Sequence, residues 1–277
     1  MGGIGKNVER EKVTECLFSV ARSNENATGA SVIAPNLKVS YYRSMDQNIA
    51  RQHLQATIDL LRTKKRILFI TTSTRVTAIP ADRPKSTQLA EHIAAQLVPG
   101  AVTVIDVTKI KIHPCEGNIS AAEGNNCGVA KAVLADPVKN PTGLHRCWAS
   151  INNPDDELWK VSKPLLGADA VVFFGSVRWG QMNAQYQQLI ERLSWLENRH
   201  STLKEKNILA QTTAGIIAIG HNWRGHDVVK VQKQVLTYFG FDVQPDLCWN
   251  WDFTSPDDES AESYKKAAQV FEETFLK

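Results

Sequence analysis

The chain has 277 residues, 43% of them apolar and 22% charged, with a net charge of +3. This is room for one large or two small domains, in the composition of a globular protein. The charge is too small to argue for nucleic acid, no run of Lys and Arg spans a face, and no apolar stretch reaches transmembrane length.

Residues 1–43 carry no firm pattern. Val13 to Ala21 reads as a short helix or strand, and Ser23 to Gly29 as a polar loop. The opening GGIGK has the glycines of a phosphate loop but no strand before it. It also lacks the apolar core of a secretory leader, so a cytoplasmic location is expected. An odd number of cysteines, five, argues against a disulfide framework. Ser44 and Gln47 form a capping-box pattern that opens a helix to Arg62, striped by Ile49, Leu54, Ile58 and Leu61. Residues 1–63 are thus read as an N-terminal helical extension that packs on the main domain or on a partner subunit.

From Arg66 strands and helices alternate. Strand 66–72 leads to helix 86–98, and strand 102–107 leads through an irregular stretch to a helix from about Asp155 to Leu166. Strand 169–174 leads to helix 183–198, whose stripe is Tyr186, Leu189, Ile190 and Leu193. Strand 213–219 leads to helix 226–239, and a short strand near Phe241 to Val243 closes the set. Alternation of this kind predicts an α/β fold, a parallel sheet with helices on both faces. Five strands suit the doubly wound order 2-1-3-4-5, with a ligand crevice at the carboxyl ends of the first and third strands. The core domain is expected over 64–247 with an insert at 108–153, and residues 248–277 form a C-terminal extension with a helix. Its Trp249, Trp251 and Phe253 read as a packing tail after the last strand.

Three loops at the expected crevice carry unusual residues. After the first strand come Ser73, Thr74 and Arg75, then Lys85, Ser86 and Thr87 at a helix start. Hydroxyls, cations and the unpaired N–H groups of a helix end together make a phosphate seat. No Walker A and no G-x-G-x-x-G pattern is present. After the third strand the chain reads Gly175 to Asn183, GSVRWGQMN. Its glycines permit close approach of a flat ligand, Trp179 offers an aromatic face, Arg178 a cation, and Asn183 an N-cap. After the fourth strand, Gly220 to Asp227 reads GHNWRGHD. His221, His226 and Asp227 do not follow a standard metal spacing, so a ring-edge binding loop is the better reading.

These loops resemble those of the flavodoxin-like NAD(P)H-dependent FMN reductases, including the branch called iron–sulfur flavoproteins. The resemblance spans about Lys65 to Pro245. The family's S-x-R and later S/N-T are matched by Ser73, Thr74, Arg75, Ser86 and Thr87. Its S/T-P-V-Y/R-W-G-x-M/P-S loop is matched by Gly175, Ser176, Val177, Arg178, Trp179, Gly180, Gln181, Met182 and Asn183, with Ser176 in place of proline. Gly220, His221 and Asn222 resemble the family's third loop. The resemblance implies FMN as cofactor and NAD(P)H as co-substrate. The first loop would hold the phosphate, with Arg75 as counter-charge, and Ser176 to Gln181 would follow one edge of the ring. Gly220 to Asn222 would close on the pyrimidine side. Hydride would pass from NAD(P)H through the flavin to a quinone, nitro or azo compound, free flavin or other small electrophile. The flavin carries that chemistry, so no side chain is named as catalytic. Arg178, Trp179, Trp223 and Arg224 are candidates for meeting an anionic substrate or nicotinamide phosphate. The family also implies a homodimer or homotetramer.

Two other readings stay open. One is a flavodoxin-type electron carrier, although such carriers are smaller and acidic. The other is an iron–sulfur or metal-containing flavoprotein, since Cys115, Cys127 and Cys147 lie in the region where that branch holds its cluster. The compact C-x-x-C is missing here, and a four-cysteine set needs Cys16 or Cys248. A zinc set drawn from His113, Cys115, Cys127, His145 and Cys147 is the further form of this reading.

Overall fold

The computed structural model describes residues 47–75, 83–254, 258 and 260–277. The readings made for residues 1–43, for the Ser44 cap and for Cys16 lie outside them.

Continuous apolar runs become the central strands, because a strand covered on both faces has no polar side to show. Helix α1 (Gln47–Leu61) precedes β1 (Ile67–Thr71), which is buried at every residue. Then follow α2 (Lys85–Ala95) and β2 (Val102–Asp106). A small hairpin, β3 (Ile119–Ser120) with β4 (Gly124–Asn125), lies in the insert, followed by α3 (Trp148–Asn152) and α4 (Trp159–Leu165). Next come β5 (Ala170–Arg178), β6 (Gln181–Met182), α5 (Ala184–Ser201) and β7 (Thr213–Gly220). The chain closes with α6 (Gly225–Tyr238), β8 (Asp242–Asp252) and α7 (Ala261–Phe271). The sheet order is β2-β1-β5-β7-β8, all parallel, with β6 turned back on β5. This is the flavodoxin-like doubly wound sheet in the order expected. One apolar core lies between the sheet and α4, α5 and α6, the other between the sheet and α1, α2 and α7. Among the described residues no helix is long and apolar enough to cross a membrane.

Three elements differ from expectation. The last strand does not stop near Val243 but runs to Asp252, so Trp249 and Trp251 belong to it and the boundary set at 247/248 falls inside it. Leu247, Trp249 and Trp251 alternate onto the core of α1 and α7, while Cys248 meets the other core. Trp249 Nε1 donates to Thr57 Oγ1 at 2.9 Å, which ties this strand to α1. The expected helix 155–166 covers only Trp159–Leu165, and α3 forms ahead of it. The third loop-to-helix stretch is not a loop, as described below.

Asp156 lies in the stretch ahead of α4. Its carboxylate accepts from Ser150 Oγ at 2.8 Å, from the His113 N–H at 3.0 Å and from both terminal nitrogens of Arg192 at 2.8 and 2.9 Å. Arg192 also donates to the His113 carbonyl at 2.6 Å. Burial opposes ionisation of Asp156, but these donors outweigh it and hold the carboxyl below its usual value. This pair pins the insert to α5. His145 stands between Ser162 Oγ at 2.6 Å and Ser150 Oγ at 3.0 Å, and burial pushes its imidazole down to about 4. Both its nitrogens are occupied. Burial pushes the Cys127 thiol up to about 11, the opposite of an activated nucleophile. Among the described residues no group of three or more His, Cys, Asp and Glu is placed to hold a metal ion.

Candidate functional site

The carboxyl ends of β1, β5 and β7 point the same way, since their strands are parallel. After β1, Ser73 is buried and accepts from Ser86 Oγ at 2.7 Å. Ser86 lies in the first turn of α2. Pro84 precedes that helix and supplies no side-chain cap, and the first turn holds no acid. An uncapped helix start between two hydroxyls and next to Arg75 and Lys85 is electropositive. Lys85 Nζ stands 5.5 Å from the centre of the Phe253 ring.

The stretch after β5 is a hairpin rather than an open loop. Val177 pairs with Met182 and Arg178 with Gln181, and Trp179 and Gly180 turn the chain with φ of 50° and 70°. Positive φ at both central residues is the type I′ pattern that follows the twist of the strands. Asn183 occupies the N-cap position of α5, but its side chain does not cap. Its Oδ1 instead accepts from Thr72 Oγ1 at 2.9 Å and from the Ser176 N–H at 3.2 Å, while its Nδ2 donates to the Thr72 carbonyl at 2.7 Å. One buried amide thus locks the β1 and β5 ends together. A Cβ on Gly175 would stand 2.7 Å from Thr72 Oγ1 and 2.9 Å from Asn183 Oδ1, so glycine is required there.

The end of β7 is covered by the C-terminal segment. His221 stacks on Tyr264 with ring centres 4.0 Å apart and meets Phe253 edge-on at 4.5 Å. Its Nε2 lies 3.0 Å from the Asp258 carbonyl and so donates to it, which makes Nδ1 the acceptor of the neutral ring. That Nδ1 is buried without a partner, as is Ser176 Oγ. Asn222 Nδ2 also donates to the Asp258 carbonyl, at 3.3 Å.

Beneath Gly220 lies Asp252. A Cβ on Gly220 would fall 1.8 Å from its Oδ1, which is buried and unpartnered. Burial pushes this carboxyl up to about 6, against the pull of the Gly225 N–H and Asn250. The folded protein therefore holds this proton more tightly than the unfolded chain. Stability is lost as pH rises from the ordinary value of 3.8 to about 6, and the loss persists above that. Its size is at most about 3 kcal/mol. Asp252→Asn is expected to gain stability relative to the wild type in urea unfolding as pH rises through this window. A wild-type-to-variant difference that stays constant with pH would contradict a buried proton at Asp252.

Of the residues singled out from sequence, Ser73, Thr74, Arg75, Ser86, Ser176, Val177, Arg178, Gly220 and His221 line one crevice of about 230 Å³. Thr87, Trp179, Gly180, Gln181, Asn222, Trp223 and Arg224 stand outside its walls. Lys85, named from sequence beside them, lines it too; Pro84, Phe253, Tyr264 and Ala267 complete it, and these four were not legible as site residues. The signal available was the aromatic run from Trp249 to Phe253, which reads as packing. A larger open hollow of about 950 Å³ around Lys233, Tyr238 and Trp249 touches neither the β1 loop nor the β5 hairpin.

A family model described as NADPH-dependent FMN reductase matches residues 65–255. No curated protein matches significantly. Among solved structures, the chain is similar to RosB with bound 8-demethyl-8-formylriboflavin-5'-phosphate, at 13% identity over 76% of each chain and a TM-score of 0.47. It is similar to the azoreductase from Bacillus anthracis str. Sterne at 12% identity over 76% of this chain and 95% of that one, with a TM-score of 0.43. A Streptococcus pneumoniae TIGR4 flavodoxin gives 12% identity over 75% and 97%, with a TM-score of 0.36.

Proposed function

The chain belongs to the NADPH-dependent FMN reductase family, and from that membership we propose that the crevice at the ends of β1, β5 and β7 holds its FMN and serves a small electrophilic acceptor. It is an NAD(P)H-dependent FMN oxidoreductase. The acceptor class proposed is a quinone, a nitro or azo compound, or free flavin, and the expected setting is a cytoplasmic homodimer or homotetramer.

The donor set suits the cofactor. A phosphate fits the uncapped start of α2 with the Ser73 and Ser86 hydroxyls, and Thr74, Arg75 and Lys85 stand around it. The observation that carries the reading is the pair of orphaned buried atoms on the other walls, Ser176 Oγ and His221 Nδ1. A buried polar atom without a partner is costly, and a ligand with both donors and acceptors on its ring edge satisfies both. Bound there, FMN would supply the two-electron chemistry that links NAD(P)H to the second substrate. The protein's part is to bind and orient. Gly175 and Gly220 leave no side chain in the way, Asn183 holds the two loops in register, and Tyr264 with Phe253 shields one side from water.

Purified protein supplied with FMN is expected to show oxidised-flavin absorption that NADPH bleaches without oxygen. Replacing both Ser73 and Ser86 by Ala is expected to weaken FMN binding about ten-fold or more, since hydrogen bonds to a charged group are worth about 1.5–3 kcal/mol. Riboflavin, which lacks the phosphate, should bind both proteins alike. A protein that takes up no FMN in excess overturns the site, and one whose flavin NADPH fails to bleach is a carrier rather than a reductase.

A further inference from the structure

Beside the crevice stands a rim that the interior of the fold does not use. Trp179 is 93% exposed and Trp223 is 43% exposed. Trp179 and Arg224 both hold left-handed backbone, φ 50° and 61°, a conformation that side-chain-bearing residues rarely adopt. A type I′ turn ordinarily places Asn or Gly at the position of Trp179. A large apolar side chain kept there is both strained and solvated, and strain of this sort gathers where a ligand is met.

The hairpin and the loop after β7 meet at this rim. A Cβ on Gly180 would stand 3.3 Å from Arg224 Cδ and 3.4 Å from Trp223 Cζ3, so the β5 hairpin packs directly on the loop after β7. The Arg224 guanidinium lies 5.2 Å from the Trp223 ring centre. Arg178 lines the crevice and joins it to the rim. It is exposed and makes no ion pair among the described residues. Arg224 shares Asp227 at 3.2 Å, half exposed on both sides, so the rim keeps a positive excess. Two flat apolar faces with two guanidinium groups recognise planar aromatic rings that carry an acidic group.

We propose that the rim of Arg178, Trp179, Trp223 and Arg224 is the acceptor-binding site, and that it selects planar aromatic acceptors bearing a sulfonate or carboxylate. This rests on the reading of the crevice as the flavin site. Trp179 is thereby a substrate residue rather than a wall for the cofactor.

The test compares reduction of an anthraquinone sulfonate with that of an uncharged naphthoquinone by the FMN-loaded protein at saturating NADPH. The readout is the ratio of the two kcat/KM values. Arg178→Gln with Arg224→Gln is expected to lower that ratio about five-fold or more, the weight of two exposed ion pairs. Trp179→Gly, which removes the ring and relieves the turn, is expected to raise KM for both acceptors about ten-fold with little change in kcat. An unmoved ratio in the double variant overturns the proposal, as does a raised KM for NADPH in its place, which would give the rim to the dinucleotide. An unmoved KM in Trp179→Gly also overturns it, and would leave that ring to a neighbouring copy of the chain. Wild-type protein that takes up no FMN, or whose flavin NADPH does not bleach, removes the crevice reading itself. Normal bleaching with an unmoved ratio removes the rim alone.

Discussion

Arg192→Leu is expected to cost about 3–5 kcal/mol of stability, because it strands a buried carboxylate. Both side chains of the Arg192–Asp156 pair are 0% exposed. The guanidinium also donates to Ser150 Oγ at 3.0 Å and to the His113 carbonyl. Removing it leaves Asp156 with donors from Ser150, His113 and Leu158 but no counter-charge. The carboxyl must then take a proton or draw water into the core of the insert. The double replacement Arg192→Leu with Asp156→Leu is expected to recover part of the loss: it removes both buried charges but leaves the His113 N–H and carbonyl and the Leu158 N–H without these partners. Denaturant unfolding measures the two differences, and limited proteolysis between 108 and 153 tests whether the insert has come loose. A single variant that loses under about 1 kcal/mol would show that the pair does not hold the insert.

Asn183→Ala is expected to cost about 2–4 kcal/mol and to weaken FMN binding by ten- to a hundred-fold. The substitution leaves the Thr72 carbonyl and the Ser176 N–H without the amide that joins them. The Thr72 N–H keeps its bond to the Phe174 carbonyl at 2.9 Å, and the Thr72 hydroxyl, released from Asn183, can turn its one proton to the same carbonyl at 3.1 Å, so the strand pairing below survives while the loops above separate. Asn183→Asp separates the two halves of the effect. It keeps the acceptor facing Ser176 N–H but sets a carboxylate oxygen against the Thr72 carbonyl, and should behave nearly as badly as Ala. Calorimetric titration with FMN and thermal unfolding of the flavin-free protein give the two readouts. Tight FMN binding in both variants would take the lock out of the site.

The strands and their order were legible because each depends on local pattern. Ile67 to Ile70 and Val171 to Phe174 are apolar without break, and the right-handed crossover rule leaves few orders for strands that alternate with helices. The last strand runs past the end that local pattern predicts. The alternation of Leu247, Trp249 and Trp251 was present in the sequence, but aromatic residues beyond a Pro read as a tail. The β5 hairpin was hidden for a different reason. Trp-Gly is a poor type I′ pair, so local chemistry pointed to a loop where strand pairing imposed a turn.

Amino-acid order alone therefore determined the doubly wound sheet, the switch point at the ends of its first and third core strands, and the three stretches that gather there. These follow from periodicity and from residues that sit next to one another in the chain. Tertiary structure alone decided which side chains meet. Asn183 reaches Thr72 across 111 positions, Arg192 reaches Asp156 across 36, and Tyr264 closes over His221 from the last helix. Nothing in local sequence encodes such pairs, because a buried hydrogen bond or ring stack is fixed by where two distant backbones are packed, and that is settled only when the cores on both faces of the sheet have closed.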